Sequence, residues 1–156
     1  MSEPQQKPGL SRQDFGTPRP FLDAVERKWG PITIDLAARP GNHVVPRYFG
    51  PGGEIEDSLS AEWPATGVLW LNPEFGNIAR WAQKAAAYRG TTGVILMLTP
   101  ASVGTNWFAA HVHHKAMVLA LSGRLSFDGK APYPKDLMLS VFGHATGFDV
   151  WDWRKP

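Results

Sequence analysis

Apolar residues in this chain repeat with two different periods. Phe21, Leu22, Val25 and Trp29 recur at helical spacing and stop at Gly30, which predicts a helix with Thr17 as N-cap and Pro18 at its first position. Ile32-Thr33-Ile34-Asp35-Leu36-Ala37-Ala38 is β-branched and apolar instead, so it predicts a buried strand that breaks at Pro40-Gly41-Asn42 and carries one carboxylate near its exit. Pro46 to Gly53 predicts a loop, and Ile55 to Trp63 a short irregular stretch. Val68–Leu71 is a second strand. Ile78, Trp81, Ala82 and Ala85 then mark the apolar side of a helix from about Ile78 to Arg89. Thr92–Thr99 predicts a third strand, Thr105 to His114 a mostly helical segment, and Met117–Leu121 a fourth strand. Gly123-Arg124-Leu125-Ser126-Phe127 either continues that strand or begins the next. Asp128-Gly129 signals a turn, Ala131–Asp136 a proline-rich loop, and Leu137–Phe142 a last, alternating strand.

Strand, helix and strand in repetition predict an α/β fold with a largely parallel sheet and a C-terminal antiparallel edge. Ligands of such sheets sit outside the carboxyl ends of the strands, where Asp35, Asn72 and Thr99-Pro100 all fall, so three separate loops are expected to converge on one pocket. Met1–Ser11 has no apolar periodicity, which predicts a flexible arm over residues 1–12 ahead of one domain over residues 13–156. The chain has no cysteine, so disulfides, thiolate nucleophiles and Cys-ligated zinc are excluded. Its apolar runs are far shorter than the roughly 20 residues that cross a bilayer, and no signal peptide is read ahead of them. A soluble intracellular protein is expected.

The most suggestive chemistry lies in Leu69-Trp70-Leu71-Asn72-Pro73-Glu74-Phe75-Gly76. An apolar strand opens there into a rigid loop that offers an amide oxygen, the carbonyl of a proline with fixed φ, and a flat ring. Those parts suit hydrogen bonds from an exocyclic amine and stacking on the base that carries it. The sequence pI near 9.0 and seven tryptophans fit a nucleic-acid surface, although aromatics also dominate cores. Arg39, Arg47, Arg80, Arg124 and Lys130 are candidate phosphate contacts, Arg124 foremost because Gly123 shapes its segment. His111-Val112-His113-His114 has the spacing of a metal pair but no third ligand nearby, so no metal site is assigned.

From Gln13 to Phe142 the sequence resembles the small bacteriophage-type DNA N6-adenine methyltransferases. The resemblance rests on Thr17-Pro18 with Phe21-Leu22-Asp23, Ile34-Asp35-Leu36-Ala37-Ala38, Pro46-Arg47-Tyr48-Phe49, Glu56-Asp57-Ser58-Leu59 and Trp63. It continues through Leu69–Gly76, Ile78 with Trp81 and Lys84-Ala85, Leu96–Ala101, Thr105 with Trp107-Phe108, Gly123–Phe127, and Ala131-Pro132-Tyr133-Pro134. It implies a Rossmann-like S-adenosylmethionine-dependent methyltransferase domain acting on adenine in DNA, in the cytoplasm of a bacterial or phage-infected host cell. Thr17, Pro18, Asp35, Ala37 and Asp57 would hold the cofactor, although no G-x-G-x-x-G fingerprint lies near Asp35. Arg47, Thr105, Trp107, Arg124 and Lys130 would meet the DNA substrate, and so short a chain leaves target choice to low specificity, a homodimer or a specificity partner.

The family's catalytic pattern is Asn/Asp-Pro-Pro-Tyr/Phe. Asn72, Pro73 and Phe75 match it, with Asn72 and the Pro73 carbonyl implied to hold the amine and Phe75 to stack on the flipped base. Glu74 departs from it by restoring a backbone N–H and adding a carboxylate. A carboxylate buried beside an apolar strand is expensive without a partner, which predicts a functional role for Glu74. N4-cytosine transfer, or a non-catalytic nucleic-acid or cofactor-binding module with an altered loop, are the alternatives the sequence leaves open.

Overall fold

The structure, a computed structural model, describes residues 16–127, 129–143 and 145–156. The expected arm over residues 1–12 lies outside them, as does Asp128 of the predicted turn. The elements are α1 (Arg19–Trp29), β1 (Ile32–Asp35), β2 (Val68–Leu71), α2 (Ile78–Ala86), β3 (Val94–Pro100), α3 (Asn106–His111), β4 (Met117–Ser122), β5 (Leu137–Phe142) and β6 (Gly147–Asp152). Short 3-10 turns at Ser58–Ser60 and Phe75–Asn77 flank β2.

The strands form one mixed sheet in the order β1-β2-β3-β5-β4-β6. β1, β2 and β3 are parallel, β5 runs antiparallel to both of its neighbours, and β6 pairs parallel with β4. The expected α/β class and mostly parallel sheet therefore hold, whereas the antiparallel edge does not. The reversed strand β5 is internal and buried along its whole length. The edge is β6, a strand the sequence reading did not anticipate, and its Phe148 and Val150 are exposed.

Alternation along the central strands divides the core in two. Leu69, Leu71, Ile95 and Met97 face α2 and α3, whereas Val68, Trp70, Val94, Leu96 and Leu98 face α1 and the segment around Leu125 and Tyr133. Both faces of β2 and β3 are covered, which is why these strands read as unbroken apolar runs. Among the described residues, no helix is long and apolar enough to cross a membrane.

Several boundaries move, each for a local reason. Helix α1 starts at Arg19 with Pro18 as N-cap and Pro20 in its first turn, so Thr17 stands outside it and is free for another partner. Just past the end of β1 at Asp35, Leu36 N–H still donates to the Trp70 carbonyl of β2, and Ala38 N–H then turns to the Phe49 carbonyl of the following loop. α2 stops at Ala86, and Tyr88 turns its hydroxyl onto the Pro64 carbonyl. α3 ends at His111, with His114 at φ 65°. Gly123–Phe127 neither continues β4 nor forms a strand. Gly123 has φ 112°, and its carbonyl accepts the Trp153 indole N–H at 2.7 Å.

Candidate active site

A cleft of about 510 Å³ opens where β1 and β2 end, walled by Thr17, Asp35, Ala37, Asp57, Asn72, Glu74 and Phe75 among others. Thr99 and Pro100 are not part of it, so two strand ends converge there rather than three. Thr99 is fully buried at the end of β3 instead.

Asp35 organises one wall. Its backbone N–H donates to the Arg47 carbonyl at 3.0 Å, and its carbonyl accepts from Phe49 N–H at 2.9 Å. The carboxylate accepts from Ala37 N–H at 3.2 Å and Val44 N–H at 3.0 Å, so one side chain ties together both ends of the turn that carries Ala37 and Asn42. Burial pushes its pKa up to about 6, against the opposing pull of those two N–H groups and of nearby His43. The His43 ring stacks on Tyr48 at 4.5 Å. Gly50 closes the wall at φ 138°, where a Cβ would stand 1.7 Å from the Ala38 carbonyl oxygen. Only glycine permits that approach.

The second wall is the loop after β2. Asn72 donates its Nδ2 hydrogen to Thr17 Oγ1 at 3.4 Å, which explains why Thr17 is not spent as a helix cap. Its Oδ1 is shut off from solvent and has no hydrogen-bond partner among the described residues. Such an acceptor carries a penalty of about 1–3 kcal/mol until a donor meets it. Pro73 is buried behind it. Glu74 is exposed on the cleft lip at φ −57°, ψ 127°, which corrects the expectation of a buried carboxylate and removes the desolvation argument for its role. Phe75 is half-buried and meets the Tyr133 ring edge-on at 6.0 Å.

Two further cleft residues were legible in sequence only as core. Trp70 and Trp81 are 0% and 7% exposed, and neither indole N–H has a partner among the described residues. A buried tryptophan normally finds an acceptor, so these two donors are exceptions; they stand on opposite faces of the sheet, Trp70 toward α1 and Trp81 on α2. Asp57 lies on the same cleft, exposed, with its carboxylate accepting from Ser60 Oγ at 2.7 Å and held below its usual range by that bond.

The other candidates stand elsewhere. Pro18 and Pro73 flank the cleft in sequence but are not on its wall. Arg47 spends its guanidinium on two bonds to Glu54, at 2.8 and 3.0 Å. Thr105 is the N-cap of α3, accepting from Phe108 N–H, and Trp107 packs half-buried against the core. Arg124 bonds the Tyr133 carbonyl at 3.2 Å and Asp136 at 3.1 Å, and Lys130 is exposed on the loop between them. All seven tryptophans are buried or half-buried, so the count reflects packing rather than a stacking surface. Among the described residues, no group of three His, Asp or Glu side chains is placed to hold a metal ion.

Residues 6–138 match a protein family described as DNA N-6-adenine-methyltransferase (Dam). The chain is also similar to a DNA N-6-adenine-methyltransferase of Escherichia phage T1, with 26% identity over 121 residues. That alignment takes in 78% of this chain and 50% of the phage protein, so the chain spans about half the length of the curated relative it matches.

Proposed function

The chain belongs to the DNA N-6-adenine-methyltransferase (Dam) family, and on that premise we propose that it transfers a methyl group from S-adenosylmethionine to the N6 amine of adenine in DNA. The observation that carries this reading is the orphaned Oδ1 of Asn72 at the cleft, the acceptor that an amine N–H would satisfy. Its Nδ2 is turned toward Thr17 Oγ1 at 3.4 Å, which leaves Oδ1 as the acceptor.

The residues present fit the cofactor. A cleft of about 510 Å³ has the size of a small-molecule site, and Asp57 presents an exposed carboxylate on its wall that suits hydroxyl or amine donors. Thr17, Asp35 with Ala37, and Asp57 would hold the remaining polar groups. When bound, S-adenosylmethionine supplies a methyl group activated by a positively charged sulfur.

The protein's own contribution is positional. Asn72 Oδ1 accepts one of the amine's hydrogens and aims its lone pair into the cleft, while Phe75 stacks on the base; Pro73, buried and off the cleft wall, fixes the loop that presents them. Accepting a hydrogen from the amine also favours the positive charge that develops on nitrogen as it attacks. In duplex DNA the adenine must leave the stack first, at a cost of a few kcal/mol. Lys130, exposed on the loop beside Tyr133, serves the phosphate backbone, whereas Arg47, Thr105 and Trp107 serve the fold.

The test is incubation of the purified protein with DNA and radiolabelled S-adenosylmethionine, followed by digestion to nucleosides. Label in N6-methyladenosine's deoxy form supports the reading. Label in N4-methyldeoxycytidine, or no label, overturns it.

A further inference from the structure

We infer that Arg124 and Tyr133 form a brace that fixes the plane of the Phe75 ring, so that Arg124 acts as a positioning residue for the base-stacking face and not as a phosphate contact. The inference rests on the assignment of Phe75 as that face. Phe75 belongs to a three-residue 3-10 turn and is only half-buried, so its own segment restrains the ring weakly. Tyr133, 3% exposed, packs against it: its ring meets Phe75 edge-on at 6.0 Å and 70° and meets Phe127 at 5.7 Å and 89°.

Tyr133 is itself held through its backbone. Its N–H donates to the Leu125 carbonyl at 2.6 Å, and its carbonyl accepts from Arg124 Nη1 at 3.2 Å. The second arm of the Arg124 fork reaches Asp136 Oδ1 at 3.1 Å, and the Asp136 carbonyl in turn accepts Ala101 N–H at 2.9 Å, beyond the end of β3. One guanidinium thus bridges two points of the proline-rich loop, a geometry that the planar fork of arginine suits and lysine does not. The root of Arg124 is equally fixed. A Cβ on Gly123 would lie within 2.9 Å of Trp153 and Arg154 side-chain atoms, and the Gly123 carbonyl is bonded to Trp153. A basic side chain on a shaped segment, which reads in sequence as a DNA contact, is spent here on orienting an aromatic wall.

The experiment places 4-fluorophenylalanine at position 75 and records its fluorine spectrum in the wild-type, Arg124→Gln and Tyr133→Leu backgrounds. Thermal midpoints are measured alongside. Alongside these, kcat/KM on mixed-sequence duplex DNA and the salt dependence of DNA binding are compared for wild type, Arg124→Gln, Phe75→Ala and the double variant. A brace predicts a shifted or broadened resonance in both backgrounds and a five- to tenfold lower kcat/KM for Arg124→Gln that nearly vanishes when Phe75 is already alanine. The slope of log K against log salt stays at the wild-type value. Arg124→Gln removes only a partly exposed guanidinium, so it answers the question even if Tyr133→Leu fails to fold. An unchanged fluorine resonance overturns the inference, as does a slope reduced by about 0.9, the signature of one lost phosphate contact. A wild-type protein that transfers no methyl group would instead sink the proposed function, while the fluorine spectra would still judge the brace.

Discussion

Asp35 should make the protein's stability fall as pH rises across the weakly acidic range, the reverse of an ordinary ion-paired carboxylate. The group is 3% exposed, and burial raises its pKa from 3.8 to about 6. Between those values the folded state keeps a proton that the unfolded chain releases, so the stabilisation is fully present below pH 3.8 and is lost as pH rises through 6. A shift of roughly two units corresponds to roughly 3 kcal/mol in total, of which about 2 kcal/mol falls between pH 4.5 and 7.5. Asp35→Asn cannot titrate and presents a neutral amide where the folded wild type at acidic pH presents a neutral carboxyl, so the wild type gains most over it at acidic pH. Thermal midpoints of wild type and Asp35→Asn, measured at both pH values, isolate the residue because every other group titrates in both. The gap between them should narrow by about 4–8 °C from pH 4.5 to 7.5. A gap that is constant, or that widens with pH, would refute the reasoning.

Two further perturbations follow from backbone geometry. Glu74 already sits at φ −57°, so Glu74→Pro should raise stability by about 0.4–1 kcal/mol, and its exposure means that Glu74→Gln should keep turnover within about twofold. A tenfold loss in Glu74→Gln would restore a functional carboxylate. Gly50→Ala, forced against the Ala38 carbonyl, should cost at least about 1–3 kcal/mol and weaken cofactor affinity through the displaced wall, as read by thermal melts and calorimetry. Wild-type stability in Gly50→Ala would contradict that contact.

How much of this was legible beforehand depended on whether a residue's role is local. The runs Val68–Leu71 and Val94–Leu98 announce buried strands because both of their faces are covered, and Asp35 and Asn72 fall at strand ends by simple counting. β6 escaped notice because none of its residues is buried and it carries no apolar run, and without it β5 was misread as the edge. Arg47 and Arg124 read in sequence as basic side chains open to phosphate, and nothing there reveals that Glu54 and the Tyr133 carbonyl bond to them. Trp70 and Trp81 read as core and are core, whereas the lack of a partner for their indole N–H groups among the described residues is visible only once their neighbours are placed. Thr17 similarly reads as a cap until the chain brings it to Asn72, 55 positions away.

The central claim is that Asn72 Oδ1 holds the amine on its way to the transition state. It is tested by measuring methyl transfer and S-adenosylmethionine binding together in Asn72→Ala. The account predicts that single-turnover transfer into DNA falls by about 10²- to 10³-fold while calorimetric affinity for the cofactor changes little, since a contact made with the reacting nitrogen is felt in turnover. Transfer at the wild-type rate, or a loss of cofactor affinity as large as the loss of transfer, would contradict it.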